Sequence, residues 1–342
     1  LALVDDDKKS KYKGELAFVL PNQFAPNAFR AAVGSDEQGE YADRYGGFAV
    51  APSVAPGLLQ VGFEGDPTSG RTQPLPMGSP TVKLNARVDK DHSTSVTGGF
   101  TFSRKPETVV ADATRMSMEQ VVMDATDLVG ATYATQQLLN DSPISFAAII
   151  DTGCRDQLGA PLLNETLRGR GGSDFQGVIN AGCVISVTKE TNQIADTILH
   201  ANVTKMRARC WGYGKAIWLA NHDYYPQLSS MSVVIGASGA LVYQASIVED
   251  RPDLLLGRPI FYTEFANTIG DNGDIVLGNW SQYLEGTYQP FQMASSIHVR
   301  FLQREQTFMA WVRNAGAPWW RTALTPKYGS TLSPFITLAA RA

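Results

Sequence analysis

Apolar and polar positions change rhythm several times along the chain. Over residues 1–55 no period holds, because polar, Gly/Pro-rich stretches at 21–29, 34–47 and 51–57 interrupt any helical repeat. So long an aperiodic stretch predicts an extended arm lying along another surface. Over 76–125 apolar and polar residues alternate, at 81–88 and again at 118–123, as in exposed antiparallel strands. The charges between them (Arg87, Asp89, Lys90, Asp91) and the pair Gly98-Gly99 predict a long projecting hairpin rather than a core sheet. Next comes a helical rhythm. Ser142 suits an N-cap, Pro143 the first helical position, and Ile144, Ala147, Ala148, Cys154, Leu158, Leu162 and Leu163 return on one face. The pattern stops at Gly169, Gly171 and Gly172, which predicts a spine over about 143–167, a rod of about 37 Å. Gly153 and Gly159 interrupt it at roughly 1 kcal/mol each against alanine. Residues 173–288 alternate short helical and strand patterns, and β patterns return at 296–302, 307–313 and 332–338. The predicted class is α+β, without internal repeats.

Composition narrows the function. The 342 residues carry 29 Lys+Arg against 33 Asp+Glu, a net charge of −4, with 44% hydrophobic and 18% charged residues. That is enough apolar surface for a substantial core and too little positive charge for strong phosphate-backbone binding. The nearest basic cluster, Lys8, Lys9, Lys11 and Lys13, is answered by Asp5, Asp6, Asp7 and Glu15. Cys154, Cys183 and Cys210 are too scattered for a disulfide scaffold or zinc site, and His92, His200, His222 and His298 share no motif. No metal or cofactor is expected. The longest charge-free run, 225–248, is interrupted by Ser, Gly and Gln and reads as loops and buried strands rather than a membrane span. No signal peptide is recognised, and Leu1 in place of Met reads as a start after a preceding segment that was removed or left out.

The sharpest catalytic string is Ile149-Ile150-Asp151-Thr152-Gly153, the pattern of aspartic peptidases, which need paired carboxylates on turns that follow strands. Here it falls inside a helical segment and has no second copy, so an exposed helical Asp151 is the better reading. Gly212-Tyr213-Gly214-Lys215 is followed by Ala216, where a phosphate loop needs Ser or Thr, and Gly169-Arg170-Gly171-Gly172 lacks a dinucleotide fingerprint's third glycine. Gly236-Ala237-Ser238-Gly239 lacks the spacing of a nucleophile elbow.

Ordered strings point elsewhere. Tyr45-Gly46-Gly47-Phe48-Ala49-Val50-Ala51-Pro52, the run from Met118 to Leu138-Leu139-Asn140-Asp141-Ser142, and Arg168-Gly169-Arg170-Gly171-Gly172 through Gln176-Gly177-Val178-Ile179 occur in turn. Leu255-Leu256-Gly257-Arg258-Pro259-Ile260, Val276-Leu277-Gly278-Asn279-Trp280 and Arg304-Glu305-Gln306-Thr307-Phe308 close the series. Together they resemble the major capsid proteins of tailed phages, which have the Hong Kong 97 fold.

The resemblance implies an N-terminal arm at 1–55 and an E-loop hairpin at 76–125. It implies a P-domain at 56–75, 126–172 and 289–315 around the spine helix, and an A-domain at 173–288 and 316–342. It implies a non-enzymatic subunit forming hexamers and pentamers of an icosahedral head around double-stranded DNA, in a virion assembled in the host cytoplasm. Portal, scaffolding segment and decoration proteins are its further partners. Lys83, Arg87, Lys90 and Asp91 become candidate intersubunit contacts on the E-loop. Gly98, Gly99, Gly169, Gly171 and Gly172 become candidate hinges between quasi-equivalent positions. Some members crosslink a hairpin Lys to a neighbour's Asn; no Asn stands at Gln306-Thr307-Phe308 and Asn314 is displaced, so a non-covalent shell is expected. The competing readings are an encapsulin-like compartment shell, which shares the fold, and an aspartic peptidase using Asp151.

Overall fold

The computed structural model describes residues 64–110, 112–142, 146–235, 238–241, 243–244 and 252–341, all within one unit, Leu59–Ala342. The expected arm at 1–55, with its lysines and the string at 45–52, lies outside the described residues, as does Pro143.

In chain order, β1 (Gln73–Pro76) precedes β2 (Thr81–Arg87) and β3 (Met118–Asp124), then β4 (Thr126–Thr135), α1 (Gln136–Asp141) and α2 (Phe146–Arg168). Then come β5 (Ile185–Val187), α3 (His200–Arg209), β6 (Ile217–Ala220), α4 (Tyr225–Ser229), β7 (Ser232–Ile235), β8 (Ser238–Leu241) and β9 (Tyr243–Gln244). The last part holds β10 (Leu254–Leu255), β11 (Arg258–Tyr262), β12 (Ile275–Gly278), β13 (Tyr283–Arg300), β14 (Glu305–Pro318) and β15 (Phe335–Leu338).

The core gathers on a seven-stranded sheet, ordered β5-β15-β12-β6-β11-β10-β9. Its central strands are short apolar runs because both faces are covered. Period-two alternation divides them. Trp218 and Ala220 of β6, Ile275 and Leu277 of β12, and Ile336 and Leu338 of β15 pack on one side with Val203 and Met206 of α3. Ile217, Leu219, Val276 and Phe335 face the other side, against Leu163 and Leu167 at the end of α2. The first side is tied by a buried cluster: the Arg341 guanidinium contacts the Asp274 carboxylate and the Tyr224 hydroxyl, and its Nε donates to the Thr197 carbonyl at 2.8 Å. Asp274 also accepts from the backbone N–H groups of Gly270 and Ile275, at 2.9 and 2.8 Å.

The second sheet, β1-β13-β14-β4, is built on an antiparallel ribbon. β14 pairs with β4 in unbroken register from Glu305↔Thr135 to Asn314↔Thr126, whereas β13 slips against β14 at Thr287/Gln289, Gln289/Gln292 and Ser296/Arg300. The spine α2 is 23 residues long, about 35 Å. Its C-terminal turns are buried at Leu163, Thr166 and Leu167, and residues 147–157 are intermediate or exposed. Ser142 closes α1, its N–H donating to the Leu138 carbonyl at 3.1 Å, and the residues 143–145 that lead from it into α2 lie outside the described residues. Pro161 sits inside α2; the missing N–H removes one intrahelical bond. The sequence pattern places weak points only at Gly153 and Gly159, because Pro161 falls within an otherwise periodic apolar run.

Candidate functional site

Two ribbons carry most of what is chemically unusual on this surface. The first is β2 with β3, paired from Thr81↔Asp124 to Arg87↔Met118 as the alternation predicts. Its base is fixed where Val82, Leu84 and Met123 join Met77, Leu284 and Ala315. Beyond Val88 the two sides stay joined: the Val88 N–H donates to the Ser117 carbonyl at 3.1 Å, and the Ser117 N–H to the Gly98 carbonyl at 2.9 Å. The far end presents apolar side chains to solvent, with Phe102 91% and Val110 84% exposed, and Phe100, Val109 and Met116 also exposed. The second ribbon is the far end of β13 and β14, where Ile297, Val299, Phe301 and Leu302 are exposed, Leu302 by 91%. A monomeric soluble protein rarely shows such patches; they mark surfaces meant to be covered.

The four charged residues singled out from the sequence separate here. Lys83 and Arg87 are exposed on β2, and Arg87 pairs with Asp89 at 3.0 Å. Asp91 is exposed, and hydrogen bonds from Ser93 hold its carboxyl below the usual carboxylate range. Lys90 departs from the solvated face its neighbours suggested. It is 6% exposed, its ammonium meets the Glu119 carboxylate of the same chain and lies 4.8 Å from the Trp319 ring centroid.

The glycines also differ. Gly98 and Gly99 have φ of +71° and +114°, and a side chain on either would meet the backbone of Val88 or Arg115. At the end of the spine, Gly171 and Gly172 have φ of +76° and +90°, and a Cβ on Gly169 would collide with the carbonyls of Phe175 and Glu165. These positions require glycine for turn geometry and close backbone approach.

Between α2 and the second sheet runs a groove of about 450 Å³, lined by Val129, Ile150, Cys154, Leu158, Phe291 and Trp311 among others. The strands of the second ribbon match the β patterns at 296–302 and 307–313, but neither the groove nor the ribbon's exposed apolar end follows from those patterns. The adjacent apolar pair Phe301-Leu302, set between Arg300 and Arg304, was the available sign.

The aspartic-peptidase string takes a different form here. Asp151 lies within α2, half-exposed, paired with Arg155 at 3.2 Å across one helical turn, and not on a turn after a strand. Burial pushes the thiols of Cys183 and Cys210 up to about 12, away from nucleophilic use. Among the described residues no group of His, Cys, Asp and Glu is arranged to hold a metal, and no helix is long and apolar enough to cross a membrane.

The model of the phage capsid family matches residues 46–326, most of the chain. This chain belongs to the phage capsid family. Solved structures share its fold with little sequence in common. The capsid of a native GTA particle aligns with a TM-score of 0.67 at 16% identity, covering 87% of this chain and 97% of that one. The chain from Microbacterium phage Oxtober96 gives 0.63 at 11% identity, with 87% and 98% covered. The chain from Mycobacterium phage Adephagia gives 0.58 at 13%, with 85% and 95% covered. No match was found among curated protein sequences. The fold is therefore the α+β capsid fold of the Hong Kong 97 type, and the chain is a structural protein, the major capsid protein of a phage head.

Proposed function

We propose that this capsid protein assembles with copies of itself into hexamers and pentamers, which close into an icosahedral head around double-stranded DNA. The reading rests above all on the two ribbons, whose ends hold Phe102, Val110 and Leu302 almost wholly in water in the single chain. Burying a side chain of this size is worth about 1.5–3 kcal/mol, so each exposed residue favours association. A closed shell needs several different contact surfaces per subunit, and protruding ribbons reach neighbours that a compact body does not.

In this reading β2, β3 and the segment between them form the E-loop, with Lys83, Arg87 and Asp91 as its solvent-facing contacts. The spine and the second sheet form the P-domain, and the seven-stranded sheet the A-domain. The glycines at 98–99 and 169–172 absorb the differences between quasi-equivalent positions, and residues 1–55 form the arm. Assembly takes place in the host cytoplasm, with portal, scaffolding and decoration proteins as further partners. The subunit works without catalysis or cofactor. The net charge of −4 suits a wall that packaged DNA must not adhere to.

Expression of the chain, followed by negative-stain microscopy and sedimentation, tests this. Hollow closed particles are expected. Material that stays monomeric at high concentration, with Phe102 and Leu302 still open to solvent probes, would refute it.

A further inference from the structure

We propose that Lys90 is the positioning residue of the hairpin, a latch that fixes the direction in which its far end leaves the body. A two-stranded ribbon is marginally stable in water by itself, so something other than its own pairing must aim it. Residues 89–97 supply that. They leave the ribbon at Val88 and rejoin it at Gly98, which lies against the Val88 backbone and accepts from the Ser117 N–H. The excursion touches the segment that joins the two large sheets. The Thr325 N–H donates to the Lys90 carbonyl at 2.7 Å, and the His92 N–H to the Thr325 carbonyl at 2.8 Å. The opposite strand is tied to the same segment, since the Arg321 guanidinium donates to the Gln120 carbonyl.

At the centre of these ties sits the Lys90 ammonium, nearly buried between the Glu119 carboxylate of β3 and the face of Trp319. Trp319 is itself held by its Nε1–H, which donates to Gln282 Oε1 at 2.8 Å. One side chain therefore joins both strands of the ribbon and the body. Removing the ammonium leaves the partly exposed Glu119 carboxylate without its cation and the Trp319 face without its cover, so the ribbon loses the contact that holds it against the body. The distal residues Phe100, Phe102, Val109 and Val110 would then point in no fixed direction.

The latch concerns the single chain, whereas its value for particle geometry rests on the shell reading above. Hydrogen exchange of the unassembled full-length chain tests the first, and particle imaging the second. In Lys90→Met, the amides of Val88, His92, Ser117 and Thr325 are expected to exchange about tenfold faster, with amides of the seven-stranded sheet unchanged. Assembled Lys90→Met is expected to give aberrant or open particles where the parent chain gives closed ones. Lys90→Arg, which keeps a cation between Glu119 and Trp319, is expected to restore both readouts. Unchanged exchange at those amides in both Lys90→Met and Glu119→Gln overturns the proposal. So does faster exchange spread evenly over the whole chain, which marks a general loss of stability. If the parent chain forms no particles, the shell reading falls while the exchange result still decides the latch.

Discussion

Gly153 and Gly169 stand sixteen positions apart, one within the spine and one just past its end, yet they answer to different constraints. A Cβ on Gly153 would meet nothing within 4 Å, so Gly153→Ala is expected to stabilise the chain by about 1 kcal/mol through helix propensity. A Cβ on Gly169 would strike two backbone carbonyls that have no room to yield, so Gly169→Ala is expected to cost about 1–3 kcal/mol. Urea denaturation of the unassembled variants measures both. The sequence displayed the helix stop at Gly169 but not this difference, because crowding is created by Phe175, which returns against the helix end after the turn. Lys90 shows the same limit. In a run of Arg, Asp, Lys and Asp it reads as solvated, and what buries it arrives from Glu119 and from Trp319, far along the chain.

Whole elements were easier to read. The spine announced itself by its 3.6-residue rhythm and glycine stop, and β2 and β3 by strict alternation with polar partners, since one signal covers many residues. The short helix before the spine was not legible, since α1 carries too few apolar positions to set a period. The link between α4 and the C-terminal residues could not be read at all. Tyr224, Asp274 and Arg341 are distributed over more than a hundred positions and meet only when the first sheet folds. Arg341→Ala would leave the Asp274 carboxylate buried without its cation, at a cost of about 3–5 kcal/mol. A lowered urea midpoint with unchanged slope is the expected signature.

At the scale of the whole molecule, the ordered family strings carried the fold further than any single motif, because those within the described residues mark junctions between elements. They did not reveal the groove or the exposed far end of β13 and β14, which depend on where chain ends meet in space. Shell cohesion is expected to be non-covalent. On β14, Gln306, Thr307 and Phe308 stand where family crosslinks place an asparagine, Asn314 is 6% exposed, and Lys90 is engaged within its own chain. Mature particles boiled in detergent should therefore run as one band of single-chain size, and a covalent ladder would contradict this.

The uneven pairing of β13 has a consequence for length variation. Its partner β14 is committed on both sides, in step with β4 throughout, so one residue added or lost there would turn Phe308, Ala310 and Val312 out of the interior. β13 already holds unmatched residues at three places and takes up another as one more local kink. Insertions and deletions that leave the subunit functional should accordingly collect on β13, making it the adjustable rail beside a fixed one.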